Sequence, residues 1–332
     1  MRLQDLDYDL PPERIAQVPV EPRDSARLLV DRGGAPPAHR HVRDLPSLLR
    51  PGDVLVVNET RVLASRLRLH RATGGAAEVL LLEPHRPGGL MWEALVRPAR
   101  RLRNGEWLLD GDGRRTVQVL DRSPAGDTFR VLLRAAGVIE AEGELPLPPY
   151  LHAQLADPER YQTVYATVPG SAAAPTAGLH LTTQLLEEIE AVGVTVGAVE
   201  LVVGLDTFQP VSEPDPLDHR MHSERYRVPE GLWKACADAE RVVAVGTTST
   251  RALESVAATG QLEGRTELFL HRGAGPQIVD VLMTNFHLPR TTLLLMIEAF
   301  VGPRWRTLYA TALAEGYRFL TFGDATLLDR HA

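Results

Sequence analysis

Hydroxyl, amide and imidazole side chains cluster at two places where an apolar run gives way to a helical pattern. In RVVAVGTTSTRALESVAA, Val242 to Val245 is a β-branched, apolar run broken by Gly246. Thr247, Thr248, Ser249 and Thr250 follow, and Leu253, Val256 and Ala257 then recur at helical spacing before Gly260. In the second stretch, Ile278 to Leu282 leads into Thr284-Asn285-Phe286-His287-Leu288-Pro289-Arg290 and an almost wholly apolar helix, Leu293 to Phe300. A strand that turns directly into a helix leaves unpaired backbone N–H groups at the helix start. Hydroxyls there either cap the helix or hold a polar ligand, and the residues leave both readings open. Two more runs share the pattern: Val199 to Val203 before Gly204-Leu205-Asp206-Thr207-Phe208, and Tyr317 to Phe322 before Gly323-Asp324. Ligands of open α/β sheets bind beyond the carboxyl ends of strands. One shared pocket is therefore expected, with Thr247, Thr248, Ser249, Asn285 and His287 close together.

Other groups could join such a pocket. His180, in PTAGLH, and His287 are candidate acid/base groups, because imidazole titrates near neutrality; a core histidine bonded to backbone is the alternative for each. DHRMHSE places His219 and His222 three apart among carboxylates, but no third ligand follows at a recognised spacing, so no metal is expected. Arg97, Arg100, Arg101 and Arg103 put four guanidinium groups into seven residues, which suits a phosphate backbone or, as plainly, a solvated loop. Tyr161, Tyr165 and Phe208 could stack on a base or simply pack. Neither a GxGxxG after a strand nor a GxxxxGK[ST] is present.

These groups need a scaffold, and the composition bounds it. The 332 residues are 44% hydrophobic and 24% charged, with net charge −7, as in a soluble globular protein of about two domains. Acidity argues against nucleic-acid affinity spread over the whole surface. One cysteine, Cys236, excludes an internal disulfide or CxxC site. No apolar run reaches the ~18 residues of a membrane helix, and the first residues carry no signal-like pattern, so a cytoplasmic protein with no membrane partner is expected. From about Thr60 to Glu144, six short strand patterns alternate with Gly-, Pro- and Asp-rich turns, which reads as a small antiparallel barrel or sandwich. After Glu159, strand and helix patterns alternate. The expected fold is α/β: a mixed sheet with flanking helices formed by residues 1–60 and 146–332, and an inserted small antiparallel β-barrel over 61–145.

The motifs EPRDSARLLV, PGDVLVVNETRV, VRPARRL, YQTVYA, AAPTAGLHLT, DHRMHSERY, VAVGTTSTRALES, TNFHLPRTTLL and YRFLTFGDA, in this order from the first residues to about Leu328, resemble the S-adenosylmethionine:tRNA ribosyltransferase-isomerase family of queuosine biosynthesis. The resemblance implies an α/β body with an inserted β-barrel. It also implies a transferase that uses S-adenosylmethionine as a consumed ribosyl donor, with no cofactor. The acceptor would be tRNA carrying 7-aminomethyl-7-deazaguanine at the wobble position, and the products epoxyqueuosine, adenine and methionine. A monomer is expected. His180, His287 and Glu224, within these motifs, become catalytic candidates, and Asp206 joins them as a carboxylate where the family pattern has none. Thr176, Thr207, Phe208, Thr247, Thr248, Ser249, Arg251 and Asn285 become substrate-binding candidates, and the four barrel arginines candidates for tRNA contact.

The chain departs from the family pattern at LVVGLDTFQPV, where Val202 stands for a histidine and Asp206 for a glycine. Val202 reads as an extension of a buried strand and Asp206 as a turn cap, so Asp206→Gly is expected to leave turnover within a few-fold; the alternative is that the carboxylate replaces the missing imidazole or attracts the sulfonium, for which turnover would fall ~100-fold. The competing readings are a catalytically silent tRNA-binding paralogue and an enzyme acting on another S-adenosyl compound.

Overall fold

A computed structural model describes residues 2–123, 126, 128–153, 155–204, 213, 215–219 and 221–330. Two compact units divide the chain: residues 1–61, 149–168 and 174–332, and residues 62–148 with 169–173.

The first unit is built on a nine-stranded mixed sheet. Its strands are β1 (Arg27–Asp31), β2 (Ala38–His41), β3 (Val54–Asn58), β12 (Thr195–Leu201), β13 (Glu224–Arg227), β14 (Val242–Val245), β15 (Glu263–Thr266), β16 (Val281–Asn285) and β17 (Ala325–Asp329). The order is β15-β13-β12-β3-β14-β16-β17-β1-β2. β12, β3, β14 and β16 run parallel, which brings their carboxyl ends to one edge of the sheet. β3, β14 and β16 are buried at every position, as expected of strands covered on both faces. On one face, Leu55, Val57, Val243, Val245 and Met283 pack with Leu45 of α1 (Leu45–Leu48) and with Leu185 and Ile189 of α3 (Thr183–Ala191). The other helices of this unit are α4 (Glu230–Asp238), α5 (Thr247–Thr259), α6 (Thr292–Val301) and α7 (Trp305–Ala314). Cys236 is buried in α4.

One expected strand does not form. Tyr317–Phe322 is a buried loop, and the strand of this region, β17, begins only at Ala325. β17 is antiparallel to β16, with Ala325 opposite Asn285. Gly323-Asp324 therefore precedes a strand instead of following one, yet reaches the same sheet edge because the strand runs the other way. Asp324 is not a pocket group: its carboxylate accepts the backbone N–H groups of Arg27 at 2.9 Å and Arg318 at 2.8 Å. Leu320, at φ 68°, holds a left-handed conformation that is costly for a branched side chain, on the order of 1–3 kcal/mol. Its N–H donates to the carbonyl of Phe286 and its carbonyl accepts from Asn285, which fixes it.

The second unit is a closed barrel of six antiparallel strands, ordered β10-β7-β6-β5-β8-β9. They span β5 (Arg66–Arg71), β6 (Ala76–Pro84), β7 (Met91–Arg97), β8 (Trp107–Leu109), β9 (Arg115–Arg122) and β10 (Phe129–Leu133). Alternation does the work here: Leu67, Leu69, Val79, Leu81, Ala94, Val96, Val117, Val119 and Val131 point inward and fill the barrel, with Val138 of α2 (Val138–Glu142) packed against them. β4 (Thr60–Val62) and β11 (Val168–Ser171) form a separate two-stranded sheet. Among the described residues, no helix is long and apolar enough to cross a membrane.

Candidate active site

The carboxyl ends of the adjacent strands β14 and β16 open into a cavity of about 590 Å³, counting its open mouth. Thr176, Gly246, Thr247, Thr248, Thr284, Asn285, Phe286 and His287 line it, with Tyr150, Thr291, Leu293, Leu320 and Thr321. Thr247, Thr248, Asn285 and His287 thus line one cavity, as neighbouring strand ends lead one to expect.

The first wall is the start of α5. Gly246 is the residue before the helix, at φ 91°, where a side chain would be strained, and no side chain caps the helix. The capping reading of the hydroxyl cluster therefore does not hold. The four hydroxyls divide instead by position. Ser249 Oγ donates to the Val245 carbonyl at 2.8 Å and Thr250 Oγ1 to the Gly246 carbonyl at 3.1 Å, the back-bond to the preceding turn that helical Ser and Thr can make. Ser249 is fully buried and absent from the pocket wall, so its expected contact with substrate is corrected. Thr247 and Thr248 face the cavity, and Thr248 Oγ1 is buried without a hydrogen-bond partner. A helix start with free N–H groups and an unused hydroxyl is a place for an oxygen-rich or anionic ligand.

The second wall follows β16, where Asn285 is the hub. Its carbonyl oxygen accepts from Thr176 Oγ1 at 3.1 Å, and its amide donates to the Leu320 carbonyl and to His180 Nε2, both at 3.1 Å. His180 consequently stands behind Asn285 and not on the main pocket wall. The core reading fits its placement, and it acts on the pocket only through Asn285. His287 does reach the cavity. Its Nε2 is 3.1 Å from Thr284 Oγ1, its N–H donates to Tyr309 Oη at 3.1 Å, and its carbonyl accepts from Tyr8 Oη.

Burial holds both imidazoles neutral. His180 is pushed down to about 4 by desolvation, reinforced by Arg318, Arg160 and Arg23, and His287 to about 3 by desolvation. Each histidine takes its proton near pH 6.5 when unfolded but only near 4 or 3 when folded. The unfolded state thus binds more protons between these values, so stability is complete above about pH 6.5 and is lost as pH falls. At pH 5 the loss is on the order of 2 kcal/mol per histidine. Urea unfolding at pH 7.5 and pH 5 should show the sum for the two rings, a drop on the order of 4 kcal/mol. The imidazole proton resonances of both should stay unchanged from pH 8 to 5. Ordinary titration near 6.5 would show that the rings are open to water.

The remaining candidates separate. Glu224 and Arg251, 5% and 6% exposed, form a buried ion pair in a second chamber of about 440 Å³, counting its open mouth. That chamber shares Thr247, Thr248 and Leu293 with the main pocket. Arg97, Arg100, Arg101 and Arg103 are exposed on the barrel unit, and none of their side chains makes an ion pair or hydrogen bond among the described residues. Tyr161 is fully buried with its ring edge-on to Phe322 at 6.3 Å, and Tyr165 packs against Gly178; neither is free to stack on a base. His219 Nδ1 lies 3.0 Å from Glu213. Val202 continues the sheet, its N–H donating to the Arg225 carbonyl at 2.9 Å. Asp206, Thr207 and Phe208 lie outside the described residues. Sequence reasoning missed Tyr150, Phe286, Thr291 and Thr321 on the wall. Thr291, directly before α6, carried the hydroxyl-before-helix signal that would have found it.

Comparison with known proteins gives the family. The profile of the family described as queuosine biosynthesis protein matches residues 3–328. A protein of Rubrobacter xylanophilus named S-adenosylmethionine:tRNA ribosyltransferase-isomerase is 49% identical over 99% of this chain and 98% of its own length. Proteins of the same name from Symbiobacterium thermophilum and Thermus thermophilus are 50% and 49% identical, over 99% and 98% of this chain and 100% and 99% of theirs. The crystal structure of an S-adenosylmethionine tRNA ribosyltransferase from Thermotoga maritima is 33% identical, with TM-score 0.55 over 97% of this chain and 99% of that one.

Proposed function

The chain belongs to the queuosine biosynthesis protein family, and from that premise we propose that it is an S-adenosylmethionine:tRNA ribosyltransferase-isomerase. In this reading it moves the ribosyl unit of S-adenosylmethionine onto the aminomethyl group of 7-aminomethyl-7-deazaguanine at the tRNA wobble position. The ribosyl unit is isomerised to give epoxyqueuosine, and adenine and methionine leave. S-adenosylmethionine is a consumed co-substrate with no further cofactor, and the enzyme works in the cytoplasm as a monomer. The observation that carries the reading is the end-to-end family match joined to a strand-end pocket whose wall holds unused hydroxyl and helix-start donors.

The chemistry asks for few groups. A base must take a proton made acidic by the sulfonium, adenine must be helped to leave, and the tRNA amine must reach the ribosyl carbon. His287 is the imidazole on the pocket wall; burial keeps it neutral at working pH, able to accept a proton, and by the same cause makes it a weak base. Thr176, Thr247, Thr248 and Thr284 offer hydroxyls to the ribose, and Phe286 and Tyr150 offer ring surface to a base. His180 serves as a positioning residue, since it reaches the pocket through the amide of Asn285.

The test is release of adenine from S-adenosylmethionine, with tRNA bearing the aminomethyl base and with the same tRNA bearing guanine. Adenine should appear with the first tRNA alone. No adenine with either would make the chain a silent tRNA binder. Equal release with no tRNA present would make it an enzyme of another S-adenosyl substrate.

A further inference from the structure

The second chamber is polar at one side and apolar at the other, and its polar side is incomplete. Arg251 Nε donates to the Leu268 carbonyl at 3.2 Å and Nη1 pairs with Glu224, but Nη2 is buried without a partner. Glu224 is also held by the Gly204 N–H, which donates to its Oε1 at 2.8 Å. Buried guanidinium donors are rarely left unpaired, because each lost hydrogen bond leaves its desolvation uncompensated. A buried ion pair is also a weak source of stability compared with apolar packing. Neither fact explains why the fold keeps a pair with one edge open. A ligand that completes it does. The opposite side is made by Met221, Leu268, Phe269 and Met296, and Thr248 Oγ1, also unpartnered, stands at the threshold shared with the main pocket.

We propose that this chamber receives the amino-acid end of S-adenosylmethionine, with the α-carboxylate on Arg251 Nη2 and the α-ammonium toward Glu224. The donor then lies across the threshold of Thr247, Thr248 and Leu293, its adenosyl end among the hydroxyls of the main pocket. This rests on the donor reading given above and adds to it the seat of the methionine moiety. A carboxylate and an ammonium on one short apolar chain match a guanidinium beside a carboxylate above a Met- and Phe-lined floor. A phosphate does not match, because Glu224 would repel a dianion at the same place. A zwitterion pairs the open Arg251 Nη2 with its carboxylate and sets its ammonium beside Glu224, so the chamber keeps its charge balance.

Calorimetric titration of the full chain tests the seat with three compounds. These are S-adenosylmethionine, its decarboxylated analogue and 5′-methylthioadenosine, which lacks the amino-acid arm. The protein should bind S-adenosylmethionine about 10-fold or more tighter than the decarboxylated compound, since a charge-assisted hydrogen bond from Arg251 Nη2 is lost. In the neutral double variant Arg251→Met, Glu224→Gln that preference should shrink to about 2-fold, while 5′-methylthioadenosine binds as in the parent. Equal binding of the two by the parent protein overturns the proposal without any variant, so a misfolded double variant does not shelter it. Preference retained in the folded variant overturns it as well. If S-adenosylmethionine itself fails to bind the parent, with or without tRNA, the donor reading falls and this seat falls with it.

Discussion

Replacing Asn285 by alanine should lower adenine release by about 100-fold at saturating S-adenosylmethionine and tRNA, equivalent to ~2.7 kcal/mol of barrier. The amide joins β16 to two other segments: the Thr176 hydroxyl and the His180 ring of residues 176–180, and the Leu320 carbonyl, all bond to it. Alanine leaves those partners buried and unpaired, at about 1–3 kcal/mol for each that water cannot reach. It also releases the left-handed Leu320 turn that forms part of the pocket wall. Asn285→Asp keeps the shape and can still accept from Thr176, but it presents a carboxylate oxygen to the Leu320 carbonyl and should be nearly as damaging. Circular dichroism separates a misfolded variant from an inactive one. Turnover within about 3-fold of the parent in a folded Asn285→Ala protein would remove the residue from the site.

Joint replacement of Arg100, Arg101 and Arg103 by alanine should weaken tRNA binding by about 100-fold at low salt. It should also reduce the slope of log affinity against log salt by about 2 to 3, because each lost phosphate contact no longer releases counterions. The segment between β7 and β8 is suited to this role by its electrostatics. Its arginines are exposed, and Glu106 is already bonded by the Arg71 guanidinium at 2.7 Å as well as by the Arg103 N–H at 3.1 Å, so its one charge is shared with a cation outside the cluster. Affinity for S-adenosylmethionine alone should be unchanged. A tRNA affinity and salt slope equal to the parent's would make the cluster a solvated surface and nothing more.

Local chemistry in the sequence was enough for much of the scaffold. The six barrel strands follow from alternation between inward apolar residues and turn-forming Gly and Asp, since a strand's two faces are set by its own residues. α5 begins directly after β14 and ends at Gly260, whose φ of 71° is the left-handed cap that glycine allows. The joining of Thr247, Thr248, Asn285 and His287 in one pocket follows from two parallel strands ending at one sheet edge. Tertiary structure decided what depends on a partner far along the chain. Tyr317–Phe322 has the composition of a strand, but its Leu320 bonds to Phe286 and Asn285, so the segment is a loop and β17 starts beyond it. Four adjacent hydroxyls look equivalent in sequence, yet helical geometry turns Ser249 and Thr250 back onto the preceding turn and leaves Thr247 and Thr248 on the pocket wall. His180 and His287 are equally plausible proton carriers on paper. Only the packing of the loop after β16 places one in the cavity and the other behind an asparagine. The open edge of Arg251 belongs to the same class, because a missing partner is a fact about the space around a side chain and leaves no trace in its spacing along the chain.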